Sequence, residues 1–123
     1  MSESVNHQTR NGLGALPNQG SLVVDSNASA WEKTESEGFW VKSLLEDKQV
    51  GIRSCLMKID AGTDDPLHAH DEVEQIYVIE GSFYDQDKSY GPGEYIVRAA
   101  GAMHSSGSEH GAVIMLMYSP PPA

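Results

Sequence analysis

The sequence predicts one all-β domain of the sandwich, barrel or jelly-roll type, and three observations support this fold class. From Gly38 onward, short apolar and β-branched runs alternate with turn residues. Glycines stand at nearly every boundary between these runs and leave little room for an amphipathic helix. The length of 123 residues suits a single compact core. A second catalytic domain therefore has no room in this chain.

The elements follow in order along the chain. Residues 1–20 are polar and rich in Gly, Asn, Gln and Ser, which predicts a flexible tail ahead of a domain over residues 21–123. Ser21 to Val24 is a candidate first strand, and Ala30 to Glu37 has room for one or two helical turns. The later apolar runs predict strands over Phe39 to Leu45, Val50 to Ile59, Val73 to Glu80, Ser82 to Asp85, Glu94 to Val97 and Ala112 to Tyr118.

Alternation within the run from Val73 to Glu80 predicts which side chains point into the domain. Glu74, Ile76 and Val78 share one parity and should line the interior. Tyr77 and Ile79 have the opposite parity and should face outward. Two neighbouring apolar side chains on an outer face favour a subunit interface, and the commonest closed assembly is a two-fold homodimer.

Charge and composition exclude several classes of partner. Eighteen acidic residues against eight basic ones give a net charge of −10, and no Lys/Arg cluster is present to neutralise a phosphate backbone, so nucleic acid is not expected as a partner. No apolar stretch is long enough to span a membrane. One cysteine, Cys55, excludes an internal disulfide, and the N-terminal residues do not resemble a secretory signal. A cytoplasmic location is therefore predicted.

A histidine-rich segment carries the strongest chemical signal. His68 and His70 are two residues apart, so on a strand both imidazoles project from one face, and Glu74 has the same parity. Gly101 allows a tight turn that aims His104 back into the interior. Such a nitrogen and oxygen ligand set suits Fe(II), Mn(II), Ni(II), Zn(II) or Co(II), with positions left open for water or substrate. The alternative is a metal-free barrel in which the histidines hydrogen-bond to one another and to Glu74.

Three further polar residues have two interpretations each. Arg53 and Arg98 are cations near the predicted core strands. Each either holds a substrate carboxylate or enolate or makes an outward salt bridge. His110 lies in a Ser/Gly-rich loop, where it either caps the site or is simply solvated.

The spacing of these residues resembles the two sequence motifs of the cupin superfamily. The first motif, G-x5-H-x-H-x3-E-x6-G, is matched at every fixed position by Gly62, His68, His70, Glu74 and Gly81. The second, G-x5-P-x-G-x2-H-x3-N, is matched at Gly93, Gly101 and His104, with Ala99 in place of Pro and Ser108 in place of Asn. The resemblance implies a single antiparallel jelly-roll barrel, the cupin domain, over residues 21–123.

Within that superfamily, the stretch from Trp31 to Tyr118 is similar to the cupin domain of ChrR-type anti-sigma factors and to single-domain relatives related to acetylacetone-cleaving-type dioxygenases. The resemblance implies that His68, His70, Glu74 and His104 bind one divalent transition metal ion. Fe(II) is favoured, with Zn(II), Mn(II) or Ni(II) as alternatives. It also implies a catalytic role for Glu74, since cupin carboxylates can leave the metal and act as a base.

Two functions follow from the resemblance. The first is a small metal-dependent dioxygenase that acts on a small diketone, hydroxyketone or aromatic compound. The alternative is a metal-bearing ligand sensor or regulatory binding module without turnover, as the anti-sigma relatives suggest, and a metal-free storage or structural cupin is a third reading. Those regulators carry a separate helical zinc domain with cysteine ligands, whereas residues 1–30 contain no cysteine, so a free-standing cupin is expected here.

Overall fold

A computed structural model of the chain describes residues 14–123, and these residues form an almost entirely β structure. The all-β, antiparallel fold class predicted from the sequence is confirmed. Ten strands follow one another in this part of the chain: β1 (Glu32–Lys33), β2 (Phe39–Asp47), β3 (Ile52–Ile59), β4 (Thr63–His68), β5 (Val73–Gly81), β6 (Phe83–Tyr84), β7 (Ser89–Tyr90), β8 (Tyr95–Arg98), β9 (His104–Ser108) and β10 (Ala112–Ser119).

The strands form two antiparallel sheets. The larger sheet has the order β1-β2-β3-β10-β5-β8, and the smaller has the order β4-β9-β6-β7. Several neighbouring strands are distant in sequence, as when β10 pairs with both β3 and β5. This arrangement of two antiparallel sheets with long crossovers is that of a jelly roll.

The core lies on the inner face of the larger sheet. Ile76 and Val78 of β5 are fully buried, as their parity predicts, and they lie opposite Leu116 and Ile114 of β10. Phe83 of the smaller sheet packs into the same cluster. Tyr77 and Ile79 have the opposite parity and are exposed, also as predicted.

Three strands of the smaller sheet, β4, β7 and β9, were not among the predicted runs. β4 (Thr63–His68) and β9 (His104–Ser108) are short of apolar residues, and they are strands because they pair with each other. Two local expectations were wrong: Ser21–Val24 is not a strand, and Ala30–Glu37 holds β1 rather than a helical turn. The one helical element of the described residues is a 3-10 turn, Ser26–Ala28. The Asp25 carboxylate caps it by accepting a hydrogen bond from the Asn27 N–H.

The predicted N-terminal tail, residues 1–20, falls only partly within this structure, and residues 1–13 lie outside the described residues. Gly14 is buried and pairs with β2, because its N–H donates to the carbonyl of Leu44 and its carbonyl accepts from the N–H of Glu46. The extent of the tail stays a prediction. From Gly14 onward, no helix has the length and apolar character that a membrane crossing requires.

Candidate metal centre

His68 and His104 face each other across the pair formed by β4 and β9. The two residues are directly opposite in the antiparallel register, and their ring centroids are 4.4 Å apart. The register shifts between Asp65 and His68, so a β-bulge re-aims the end of β4. His104 is buried, and this burial lowers the pKa of His104 more than the nearby Glu74 carboxylate raises it. The imidazole is therefore held in the neutral form that binds metals.

His70 reaches the same place from a different backbone setting than the one predicted. It lies just beyond β4, in the connection to β5, rather than on the strand with His68. Gly101 has a φ of +83°, which a left-handed turn requires, and its N–H donates to the His70 carbonyl over 2.7 Å. The turn before His104 thus also fixes the backbone of His70, and the two sequence motifs are joined by this hydrogen bond.

The three imidazoles form a compact group of nitrogen donors. One ring nitrogen from each of His68, His70 and His104 lies within 4.8 Å of the others. Nδ1 of His68 is 2.9 Å from the carbonyl of Pro66, and Nδ1 of His104 is 3.2 Å from that of Ala102. Since a carbonyl only accepts, each Nδ1 is the nitrogen that donates, and Nε2 is the ring atom left to bind a metal.

Glu74 lies beside this group and is 4% exposed. Its Oε1 is 3.5 Å from Nε2 of His104, and its Oε2 is 3.9 Å from Nε2 of His70. The Tyr118 hydroxyl donates to Oε2 over 2.7 Å. Burial, followed by the negative charge of Glu74, raises the pKa of Tyr118, so this hydroxyl keeps its proton and remains a donor.

Two arginines flank Glu74 and Tyr118 in one row of inward-facing residues. Arg53, Tyr118, Glu74 and Arg98 are direct partners across the four adjacent strands β3, β10, β5 and β8. The Arg53 guanidinium stacks on the Tyr118 ring at 3.8 Å and makes a bidentate ion pair with Glu72. That pair lowers the pKa of the Glu72 carboxyl group.

Arg98 bridges two carboxylates. Its Nε is 3.3 Å from Oε1 of Glu74, and its Nη2 donates to Oδ2 of Asp85 over 3.0 Å. The Asp85 carboxylate in turn accepts hydrogen bonds from the Tyr90 hydroxyl and from the backbone N–H groups of Asp87 and Lys88. Burial alone would raise the pKa of Asp85, but these hydrogen bonds outweigh it and lower the pKa. Asp85 is therefore a fixed anion that holds Arg98 in place.

A cavity of about 430 Å³ opens onto the imidazoles. Its walls are mainly apolar, and Arg53 lines it whereas Arg98 does not. The apolar wall consists of Phe39, Met57, Ile59, Ile76, Phe83, Ile114 and Leu116. A site of this size and composition suits one small, largely apolar organic molecule.

The residues present fit a divalent transition metal. Three imidazoles and one carboxylate are a ligand set of the kind that iron, zinc, manganese and nickel accept. Among the described residues, Oε1 of Glu74 and Nε of Arg98 are the buried side-chain polar atoms without a hydrogen-bond partner. Because Oε1 also faces His104, it is available to a cation there. That His68, His70, Glu74 and His104 bind a metal stays a prediction, although the structure brings all four together.

Sequence reasoning missed other members of this site and left His110 open. The roles of Tyr118 and Asp85 were not predicted, although the parity of Tyr118 with Leu116 was a signal that it faces inward. The His110 side chain is 80% exposed next to Glu109 and does not line the cavity at the imidazoles. Its role as a cap or alternative ligand has no support in this geometry.

Comparisons with known proteins agree with this fold. The family model described as the ChrR cupin-like domain matches residues 19–121. No significant match was found among curated protein sequences. An RmlC-like cupin from Ralstonia eutropha JMP134 is similar in structure, with a TM-score of 0.70 and 22% identity over 78% of this chain and 66% of the other.

Two other solved structures show how varied such relatives are. The anti-sigma factor ChrR of Rhodobacter sphaeroides, solved in complex with SigE, gives a TM-score of 0.63 and 22% identity over 78% of this chain and 51% of the other. The polyketide cyclase RemF from Streptomyces resistomycificus gives 0.69 and 18% identity, over 78% and 77%. This chain spans less than two thirds of the Ralstonia and ChrR chains. At these identities the likeness establishes the fold alone.

Proposed function

The chain belongs to the ChrR cupin-like domain family, and we propose that it is a small metal-dependent oxygenase. Its substrate would be a small diketone, hydroxyketone or aromatic compound. His68, His70, Glu74 and His104 would hold one divalent metal ion, with Fe(II) favoured over Zn(II), Mn(II) or Ni(II). The observation that carries the proposal is the apolar cavity of about 430 Å³ that ends at three converging imidazoles.

The cavity supports a small and mostly apolar substrate. Apolar side chains from both sheets line the volume, together with the three imidazoles and with polar residues that include Thr34, Glu35 and Ser36. An oxygen-bearing substrate would therefore place its carbonyl or hydroxyl oxygens toward the histidines and its carbon skeleton toward the core. This orientation brings the reacting carbons next to the metal position.

The chain's own residues would bind, orient and move protons. When bound, a divalent metal would supply Lewis-acid polarisation of chelated oxygens, and iron would add the redox couple that reaction with O₂ needs. Glu74 is the group for proton transfer, because Oε2 is held by Tyr118 while Oε1 has no hydrogen-bond donor among the described residues. Arg53, the arginine that lines the cavity, can attract an enolate or carboxylate oxygen of the substrate.

Oxygen uptake by metal-loaded protein tests this function. Fe(II)-loaded protein should consume O₂ when it is given small β-diketones or hydroxylated aromatic ketones, whereas Zn(II)-loaded protein should not, since zinc has no redox chemistry. His104→Ala should abolish uptake. His110→Ala is the matched control, because His110 is exposed and outside the cavity, and it should retain uptake. Stoichiometric iron without uptake across a broad substrate panel would contradict the oxygenase proposal.

A ligand sensor without turnover is the second candidate, and the match to the ChrR family favours it. The same cavity would then bind a small molecule whose arrival changes an interaction with another protein. Calorimetry with the same compounds separates the two functions. Tight binding to the metal-loaded protein with no O₂ consumption and no chemical change would support the sensor.

We also propose a cytoplasmic homodimer. Tyr77, Ile79, Tyr95 and Val97 form an exposed apolar patch on the outer face of β5 and β8, where they are 43–58% exposed. A second copy would cover this patch across a two-fold axis. Light scattering should give about twice the 13.3 kDa of one chain, and Val97→Lys should shift the mass toward the monomer. A monomer mass for the unaltered protein at micromolar concentration would refute the dimer.

A further inference from the structure

Arg98 is a largely buried cation beside the proposed metal ligands, although it is not itself a metal ligand. It is on β8 directly opposite Glu74 on β5, its side chain is 10% exposed, and it lies outside the set of residues that line the cavity. A buried cation next to the proposed metal would by charge alone oppose metal binding. Its contacts therefore call for another role.

The contacts of Arg98 are those of a rigid bridge. One end of its guanidinium is 3.0 Å from Oδ2 of Asp85, and Nε is 3.3 Å from Oε1 of Glu74. The Asp85 side chain is held in place independently of Arg98, because its oxygens also accept hydrogen bonds from Tyr90 and from two backbone N–H groups. A fixed Asp85 thus fixes Arg98, and Arg98 fixes the side of Glu74 that faces the histidines.

We propose that Arg98, anchored by Asp85, is a positioning residue that directs Oε1 of Glu74 toward the imidazole group. This inference rests on the proposed metal site. Tyr118 holds the other oxygen, Oε2, so the carboxylate is restrained at both atoms. Its plane is set before any cation arrives, which avoids an ordering cost on binding. Asp85 is then part of the site although it contacts none of the histidines.

Two possible roles for Arg98 predict opposite changes in the affinity for a divalent metal when Arg98 is removed. If Arg98 acts only through its charge, removal of the cation should tighten binding of a divalent metal. If Arg98 positions Glu74, its removal should weaken binding, by about 10- to 100-fold as for other outer residues of metal sites. The Co(II) affinity of Arg98→Met, measured by competition with a chromophoric chelator, therefore decides between them.

The visible spectrum of bound Co(II) supplies a readout that loss of stability would not move. Arg98→Met should change the d–d bands in the same direction as Glu74→Gln, and adding Arg98→Met to Glu74→Gln should change them little further. Arg98→Lys keeps the charge but cannot span both carboxylates, so it should give an intermediate spectrum and serves if Arg98→Met does not fold. Lys58→Met is the control, since it also removes a cation from the larger sheet, but Lys58 lies over Trp31 and Trp40 and outside the cavity, so this variant should keep the wild-type bands.

A second measurement works without metal and separates this inference from the proposed function. In metal-free protein, the imidazole nitrogen resonances of His104 report on Oε1 of Glu74, which is 3.5 Å from Nε2. They should shift in Arg98→Met and Arg98→Lys and stay in place in Lys58→Met. Unchanged His104 resonances, or tighter Co(II) binding by Arg98→Met, would overturn the positioning role. Failure of the wild-type protein to bind Co(II) would refute the metal site and leave the resonance test to decide the role of Arg98.

Discussion

Tyr118→Phe removes one hydroxyl from the buried end of the site and leaves the rest of the side chain. The lost interaction is a 2.7 Å hydrogen bond to Oε2 of Glu74, between two residues that are 6% and 4% exposed. A hydrogen bond to a charged group contributes about 1.5–3 kcal/mol, and water cannot reach the buried oxygen to replace it. The phenylalanine ring keeps the stacking on Arg53, so no packing term is added. We expect a loss of about 2 kcal/mol in the free energy of unfolding.

Urea unfolding of chelator-treated protein measures this loss, since removal of metal excludes a ligand contribution. With a slope of about 2 kcal/mol/M, the midpoint should fall by about 1 M. Tyr95→Phe is the matched control, because the Tyr95 hydroxyl also bonds to a side chain, Gln75, but at the exposed surface, and it should cost less than about 0.5 kcal/mol. A Tyr118→Phe loss as small as that of the control would refute the buried, charge-assisted bond.

Three further changes test other parts of the structure. The double change His68→Ala and His70→Ala should remove stoichiometric metal, measured by elemental analysis, and leave the far-UV circular dichroism unchanged, because the apolar core lies elsewhere. Gly81→Ala should destabilise the fold far more than Gly62→Ala in thermal unfolding: both have positive φ, but of the two only at Gly81 would a Cβ collide with backbone atoms, first with the Gly111 carbonyl oxygen. Since the pKa of Asp85 is lowered on folding, its contribution to stability is present above about pH 4 and is lost as the pH falls further. Asp85→Asn should therefore lower the free energy of unfolding at pH 7 by about 3 kcal/mol. The urea midpoint of this variant should also fall less steeply than that of the wild-type protein as the pH is lowered below about 4.

The sequence predicted those strands whose two faces differ in polarity. β5 alternates strictly, with Glu74, Ile76 and Val78 buried and Tyr77 and Ile79 exposed, so period-two reasoning located it and oriented it correctly. β4 and β9 escaped prediction because their residues are mostly polar or small. Four of their residues, Asp65, His68, His104 and Ser106, line the cavity, and their strand conformation comes from pairing with each other.

The residues of the site likewise fall into two groups: some could be predicted from the local sequence, and others depend on contacts between distant strands. His68 and His70 were predicted because their spacing is local, and His104 was predicted because it completes the second motif and the turn at Gly101 restricts where it can point. The partners of Glu74 were not, because they come from strands far apart in sequence: Tyr118 is 44 residues away, and Arg98 reaches Asp85 across 13 residues. Only the register of the larger sheet brings them together.

The row Arg53, Tyr118, Glu74 and Arg98 links the stability of the barrel to its chemistry. A buried carboxylate is costly unless it is paired and hydrogen-bonded, and Glu74 has both a cation and a hydroxyl beside it without any metal. The contacts that pair and hydrogen-bond Glu74 in the interior are thus the same contacts that aim it at the imidazoles. It follows that the barrel should fold without metal, and that a variant with altered metal binding but unchanged unfolding has lost a ligand or its alignment rather than the fold.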